Sequence, residues 1–168
     1  ISSSLRPHSK SKIMAEYIYN TISDKGLDIK FMDLQTMGLP LCDGDLCYDH
    51  EGVIEMTRLV EKARCILIAS PIYNYDLNSA IKNALELSGS AWKEKIVGLC
   101  CAAGGKHSYM APMSFLNSLM LDYRCTIIPR YVYLTKDDIA AKRQLKDDII
   151  SRLNDLIDDS IRFSTGLG

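Results

Sequence analysis

The sequence predicts an α/β fold in which a mainly parallel sheet is covered by helices on both faces. Two continuous apolar runs of strand length, residues 65–69 (CILIA) and 96–101 (IVGLCC), read as strands buried on both sides. Stretches with helical apolar spacing separate the strand-like runs, the pattern that right-handed βαβ crossovers produce. A polar or glycine-rich loop directly follows each buried run, at 71–75 (PIYNY) and 102–108 (AAGGKHS), and a serine-rich loop at 2–11 (SSSLRPHSKS) opens the chain.

Taken in order, Ile13, Met14, Tyr17, Ile18 and Ile22 recur at helical spacing, and Lys25-Gly26 supplies a cation and a stop. Residues 28–32 alternate polar and apolar side chains, as a short strand near a sheet edge does. Residues 34–50 form an irregular stretch with Gly38, Pro40 and Gly44, of a length usual in functional or intersubunit loops. Val53, Met56, Val60 and Ala63 mark a second helix before the strand at 65–69, which Pro71 is expected to break. Ile81, Ala84, Leu85 and Leu87 place a third helix at 79–88, ahead of the strand at 96–101. A fourth helix is expected at 110–121, a strand interrupted by Pro129 at 126–134, and a long helix at 139–161 with its stripe through Leu145, Ile149, Leu153, Leu156, Ile157 and Ile161. Residues 164–168 are expected to fray.

A chain of 168 residues suits one domain spanning 1–168. Lys and Arg number 20 against 21 Asp and Glu, a net charge of -1, so nothing in the overall balance directs the chain to nucleic acid or an anionic membrane. Composition is that of a soluble globular protein, and no internal stretch is long and apolar enough to span a bilayer. Of the six cysteines, Cys65, Cys100, Cys101 and Cys125 sit in or beside apolar runs and read as core residues. Cys42 and Cys47 share the long loop without a partner pair at zinc spacing; a structural role is expected, with metal or redox chemistry the alternative. The chain opens on Ile1 and reaches a loop almost at once, so a central strand is expected upstream of it.

The three loops are the candidate site. The first carries Ser2, Ser3, Ser4, Ser9 and Ser11 with Arg6 and Lys10, and it opens onto a helix whose N-terminus presents unpaired N–H groups and a positive dipole end. Ser4, Arg6, Ser9 and Ser11 suit a phosphate, and an ordinary N-cap is the alternative role of Ser9 or Ser11. The loop is neither a GxGxxG turn nor a P-loop, which argues against an intact dinucleotide or a nucleoside triphosphate there. In the second loop Pro71, Tyr73, Asn74 and Tyr75 offer two rings around a carboxamide, suited to a planar heterocycle, or else pack on the scaffold as a turn. In the third, Gly104 and Gly105, which follow Ala103, allow close backbone approach or a positive φ, with a ligand-free tight turn as the alternative. Lys106 and His107 read as solvated surface residues. In a doubly wound sheet of order 2-1-3-4-5 these loops leave adjacent strands and converge at the switch point on one mononucleotide with an aromatic ring system, which FMN fits.

These residues resemble the NAD(P)H-dependent FMN reductases, the flavodoxin-like group that includes quinone and azo-dye reductases. Ser3-Ser4-Leu5-Arg6, followed by Ser9 and Ser11, stands where that family has a serine-rich Gly-Ser-Leu-Arg loop. Pro71, Tyr73, Asn74 and Tyr75 resemble its Pro-x-Tyr-Asn loop, Ile81-Lys82-Asn83-Ala84 looks like its Leu-Lys-Asn-Ala helix, and Ala102, Ala103, Gly104 and Gly105 align with the loop at the flavin pyrimidine edge. Ser3 replaces a glycine, Ile72 stands where many relatives are acidic, and Asn78-Ser79 falls where Pro-Gly is frequent. The resemblance implies a three-layer αβα sandwich with a five-stranded parallel sheet. It also implies bound FMN, NAD(P)H as co-substrate, a small-molecule electron acceptor (quinone, azo compound or free flavin), and a cytoplasmic homodimer or dimer of dimers. A flavin electron carrier and a flavin-free interaction module are the alternatives; such carriers are strongly acidic, and a charge of -1 favours the enzyme. The surplus of apolar residues at 110–121 (Met110, Met113, Phe115, Leu116, Leu119, Met120, Leu121) is expected to serve a subunit interface, with burial in the monomer the alternative.

Overall fold

Three parallel strands make the body of the sheet. The structure, a computed structural model, describes residues 1–140 and 143–166. Strand β1 (Cys65–Tyr73) pairs in parallel with β3 (Ile96–Ala102), and β3 pairs in parallel with β4 (Thr126–Leu134). The short β2 (Asp76–Leu77) folds back antiparallel on β1, giving the order β2-β1-β3-β4.

Side-chain alternation along these strands divides the core into two layers. Ile66, Ile68, Val97, Leu99 and Cys101 face α2 (Glu51–Lys62), α3 (Ser79–Ser88) and α4 (Met113–Leu121). Ala69, Ile96, Cys100, Ile128 and Val132 face α1 (Lys10–Asp24) and α5 (Asp147–Gly166). The α5 stripe of Ile149, Leu153, Leu156 and Ile157 is fully buried, each side chain contributing about 1.5–3 kcal/mol by leaving water. Burial also makes the core cysteines inert: it pushes the Cys65 thiol up to about 11 and the Cys100 thiol up to about 12.

Several expected boundaries move. Residues 28–32 form no strand; Asp33, just beyond them, makes one parallel bridge to Ser2, with Ser2 N–H donating to Met32 O at 2.8 Å and Leu34 N–H donating to Ser2 O at 3.0 Å. Ser2 makes isolated parallel bridges to Asp33 and Ala69, and among the described residues the sheet has four strands, one of them antiparallel. Pro71 does not end its strand; β1 continues to Tyr73. Pro129 does not end β4 either, but the ladder shifts there: Val97 pairs with Ile127 and Leu99 with Tyr131, leaving residues 128–130 opposite Gly98. The fourth helix begins at Met113 and not at 110, since Pro112 is its N-cap. The last helix begins at Asp147, after a 3-10 turn at Lys136–Asp138, and it stays helical to Gly166 where fraying was expected. The first helix ends as expected, with Gly26 at a φ of 74°.

Loop 34–50 is tied down by the third helix. Asn83 accepts a hydrogen bond from Cys42 N–H at 2.9 Å and donates to Pro40 O at 2.8 Å. Cys47 is buried, and its thiol is held up by burial and by its hydrogen bond to Asp43; Cys42 lies 3.7 Å from the Tyr48 hydroxyl.

Gly98 sits where α5 crosses β3. A Cβ there would stand 2.5 Å from Leu67 Cδ2 and 3.2 Å from Leu156 Cδ1, so the missing side chain is space that Leu67 of β1 fills, with Leu156 of α5 beside it. Gly98→Ala is expected to cost about 1–3 kcal/mol by overpacking, read as a lower urea midpoint; an unchanged midpoint would contradict this packing.

Candidate functional site

The register of the sheet brings the three loops to one level. Ser2 bridges Ala69 and Pro71 pairs with Ala102, so Ser4, Pro71 and Ala102 lie side by side at the carboxyl ends of neighbouring chains, spanning about 10 Å across two strand spacings.

In the first loop Ser4, Ser9 and Ser11 are buried while Arg6 is exposed. Ser9 is the N-cap of α1 and accepts from Lys12 N–H at 3.2 Å. A hydroxyl that accepts one bond still has a proton to donate, so capping leaves Ser9 able to meet an anion. Ser9 Oγ lies 3.3 Å from Ser11 Oγ, and Ser4 Oγ accepts from Arg6 N–H at 3.2 Å. Lys12 is committed elsewhere: its ammonium is 2.6 Å from Asp33 Oδ2, and that bond raises its pKa. Arg143, which sequence reading passed over, donates to Ser9 O at 3.2 Å from the far end of the chain. No periodicity or motif marked it, because a separation of 134 residues is closed only by the fold.

The second loop is a two-residue hairpin turn. Tyr73 pairs with Asp76, and the intervening Asn74 and Tyr75 have φ of 51° and 65°, as a type I′ turn requires. Asn tolerates that region, whereas tyrosine there costs about 1–2 kcal/mol. The Tyr73 and Tyr75 rings are 50% and 58% exposed, so the strain is not offset by packing within the chain.

In the third loop Ala103 is buried and its N–H donates to Leu134 O at 2.9 Å, leaving Gly104 and Gly105 as the exposed backbone. Neither glycine has a positive φ, and Gly105, at a φ of -159°, is extended. A Cβ on either would meet nothing within 4 Å, so no contact inside the chain excludes a side chain and the space stays open. Tyr133 donates its hydroxyl proton to Gly105 O, and Tyr131 donates to Tyr109 O. The Tyr109 ring packs on both, with centroids 4.8 and 5.4 Å away. These tyrosines clamp the loop; their alternation along β4 was the sequence signal for a shared face. Lys106 and His107 are exposed, as expected.

A cavity of about 600 Å³ touches only the second loop. Tyr73, Asn74, Asp76, Lys82, Phe115 and Ser118 are among its walls, and none of its lining residues comes from the first or third loop.

Residues 1–138 match the family described as NADPH-dependent FMN reductase. The chain is 28% identical over 123 residues to an NAD(P)H-dependent FAD/FMN reductase of Geobacillus thermodenitrificans (strain NG80-2), covering 72% of this chain and 66% of that protein. It is 30% identical over 84 residues to an NAD(P)H:quinone oxidoreductase of Solanum tuberosum, covering 48% of this chain and 43% of that protein. The chain thus spans under two thirds of the length of both relatives. The flavoenzyme NAD(P)H:(acceptor) oxidoreductase FerB of Paracoccus denitrificans shares the flavodoxin-like fold, with a TM-score of 0.79 at 20% identity over 98% of this chain and 94% of that one.

Tyr75→Gly supplies the residue that a type I′ turn prefers at its second position and is expected to stabilise the protein by about 1 kcal/mol, seen as a higher urea midpoint. A lower midpoint would mean that the tyrosine ring stabilises the turn despite its φ.

Proposed function

The chain belongs to the NADPH-dependent FMN reductase family, and on that premise we propose that it binds FMN across its three loops and acts as an NAD(P)H-dependent oxidoreductase toward a small acceptor. The observation that carries the reading is the level placement of Ser4, Pro71 and Ala102, which sets a helix N-terminus at one end and open glycine backbone at the other. The residues fit the group: buried serine hydroxyls suit a phosphate, and space that a Cβ could occupy beside Gly104 and Gly105 suits a ring edge.

Ser4, Ser9 and Ser11 hold the phosphate through hydroxyl donors, and Arg6 adds a charged contact that can be bidentate. Lys10 and Arg143 keep that end positive in a chain whose net charge is only -1. Tyr73, Asn74 and Tyr75 form the wall on which the ring stacks, on the turn that follows the strand carrying Pro71. Ala103 anchors the third loop to β4, so that Gly104 and Gly105 face the pyrimidine edge. FMN, when bound, supplies the hydride chemistry between NAD(P)H and a quinone, azo compound or free flavin. The chain itself contributes orientation, and no nucleophile or acid–base pair is required of it.

Two finer assignments go with this reading. The parallel bridges of Ser2 to Asp33 and Ala69 support a five-stranded order 2-1-3-4-5, checked by slow hydrogen exchange at the Ser2, Ser3 and Leu34 amides. Met110 and Leu121, 54% and 72% exposed at the two ends of the fourth helical region, support a homodimer through that face. Sedimentation at the monomer mass would contradict it.

The purified protein is expected to bind FMN and to bleach when NADPH is added without oxygen; a protein that binds no added FMN would overturn the proposal. Arg6→Ala is expected to weaken FMN about tenfold or more while leaving riboflavin nearly unchanged, since the lost contact is to phosphate. Equal losses for the two flavins would refute the phosphate assignment.

A further inference from the structure

We propose that Asn78 is a positioning residue that holds the first loop in register with the second by standing in for the backbone donor that Pro71 lacks. The inference rests on the assignment of those loops to the phosphate and ring of FMN. Beside β1 the ladder runs from Ala69 N–H to Ile1 O at 2.8 Å and from Ser3 N–H to Ala69 O at 3.0 Å. A parallel ladder repeats every second residue, so the next rung asks Pro71 for an N–H directed at Ser3 O. Proline has none.

Asn78 supplies both halves of that rung. Its Nδ2 donates to Ser3 O at 2.7 Å, and its backbone N–H donates to Pro71 O at 3.2 Å. Its Oδ1 accepts from the hydroxyls of Ser3 at 2.8 Å and Ser70 at 3.0 Å. All of this is buried, so removing the donor would strand the Ser3 carbonyl without a partner. The hairpin delivers the residue to its place: Tyr73 pairs with Asp76 and Ile72 with Leu77, which sets Asn78 opposite Pro71.

Two further observations separate this role from ordinary helix capping. Asn78 is the N-cap of α3, where an asparagine side chain usually bonds the helix N–H groups, yet it makes no capping bond. It is turned to the loops instead. The groups it joins also lie next to the ligand-facing ones: Ser3 precedes Ser4, and Pro71 opens the Tyr73-Asn74-Tyr75 turn.

The test measures FMN and riboflavin affinities of Asn78→Ala by flavin fluorescence. FMN binding is expected to fall about tenfold relative to riboflavin binding, because the phosphate loop loses its hold while the hairpin ladder remains. Pro71→Ala restores a backbone N–H at the gap, so Pro71→Ala combined with Asn78→Ala is expected to recover most of the loss. A residue that only fills space would give additive losses. Equal losses of both flavins with no recovery in the double variant overturn the inference and leave the FMN assignment standing; wild-type protein that binds neither flavin overturns both. If Asn78→Ala does not fold, Asn78→Asp keeps the shape and the acceptor but loses the donor when ionised. Its FMN affinity is expected to rise on acidification, as the protonated carboxyl regains a proton to give Ser3 O, while the wild type shows no such rise. A flat profile in that variant overturns the inference.

Discussion

The carboxyl edge of this sheet is governed by the problem of carrying a buried parallel ladder past a proline. Backbone groups removed from water must be paired, and Pro71 interrupts the pairing at the level where the first loop leaves the sheet. The chain answers with a tight return. Two residues of positive φ reverse it within the hairpin, the register places Asn78 opposite Pro71, and one carboxamide meets Ser3 and Ser70 together. The strain at Tyr75 and the polar hub at Asn78 are therefore two ends of one device: a looser turn would not bring Asn78 back to the gap.

Below that edge the two core layers act as a rigid base. Strands buried on both faces need apolar side chains at every position, and the full burial of Ile68, Leu99 and Cys100 meets that need. Gly98 is the exception, since its missing side chain makes room for Leu67 of β1 and Leu156 of α5. Burial also raises the pKa of the core thiols, which keeps them neutral at ordinary pH.

Charge is arranged locally, against a nearly neutral whole. At the first loop Lys12 is paired with Asp33, while Arg143 donates to Ser9 O beside the N-terminus of α1. At the third loop the contacts are aromatic and backbone, with the tyrosines of β4 donating to the carbonyl oxygens of Tyr109 and Gly105. The proposed FMN site assigns the anionic tail to the first of these ends and the flat, hydrogen-bonding head to the second.

The α/β class, the helix stripes and the two buried strands were legible in the sequence because they depend on periodicity, which neighbouring residues carry by themselves. So was the position of the three loops at strand ends, which the register brings to one level. The extent of strands was not legible: Pro71 and Pro129 read as breaks, yet β1 and β4 run through them, because a side chain and a ladder shift supplied from elsewhere satisfy the gaps. The strand expected at 28–32 was not there either: alternation marks a face but not a partner, and the pairing that forms nearby is a single bridge between Asp33 and Ser2. Arg143 at Ser9, Tyr133 at Gly105 and Asn78 at Ser3 could be settled only by tertiary structure, since each joins residues far apart in the chain and a hydrogen bond depends on distance in space.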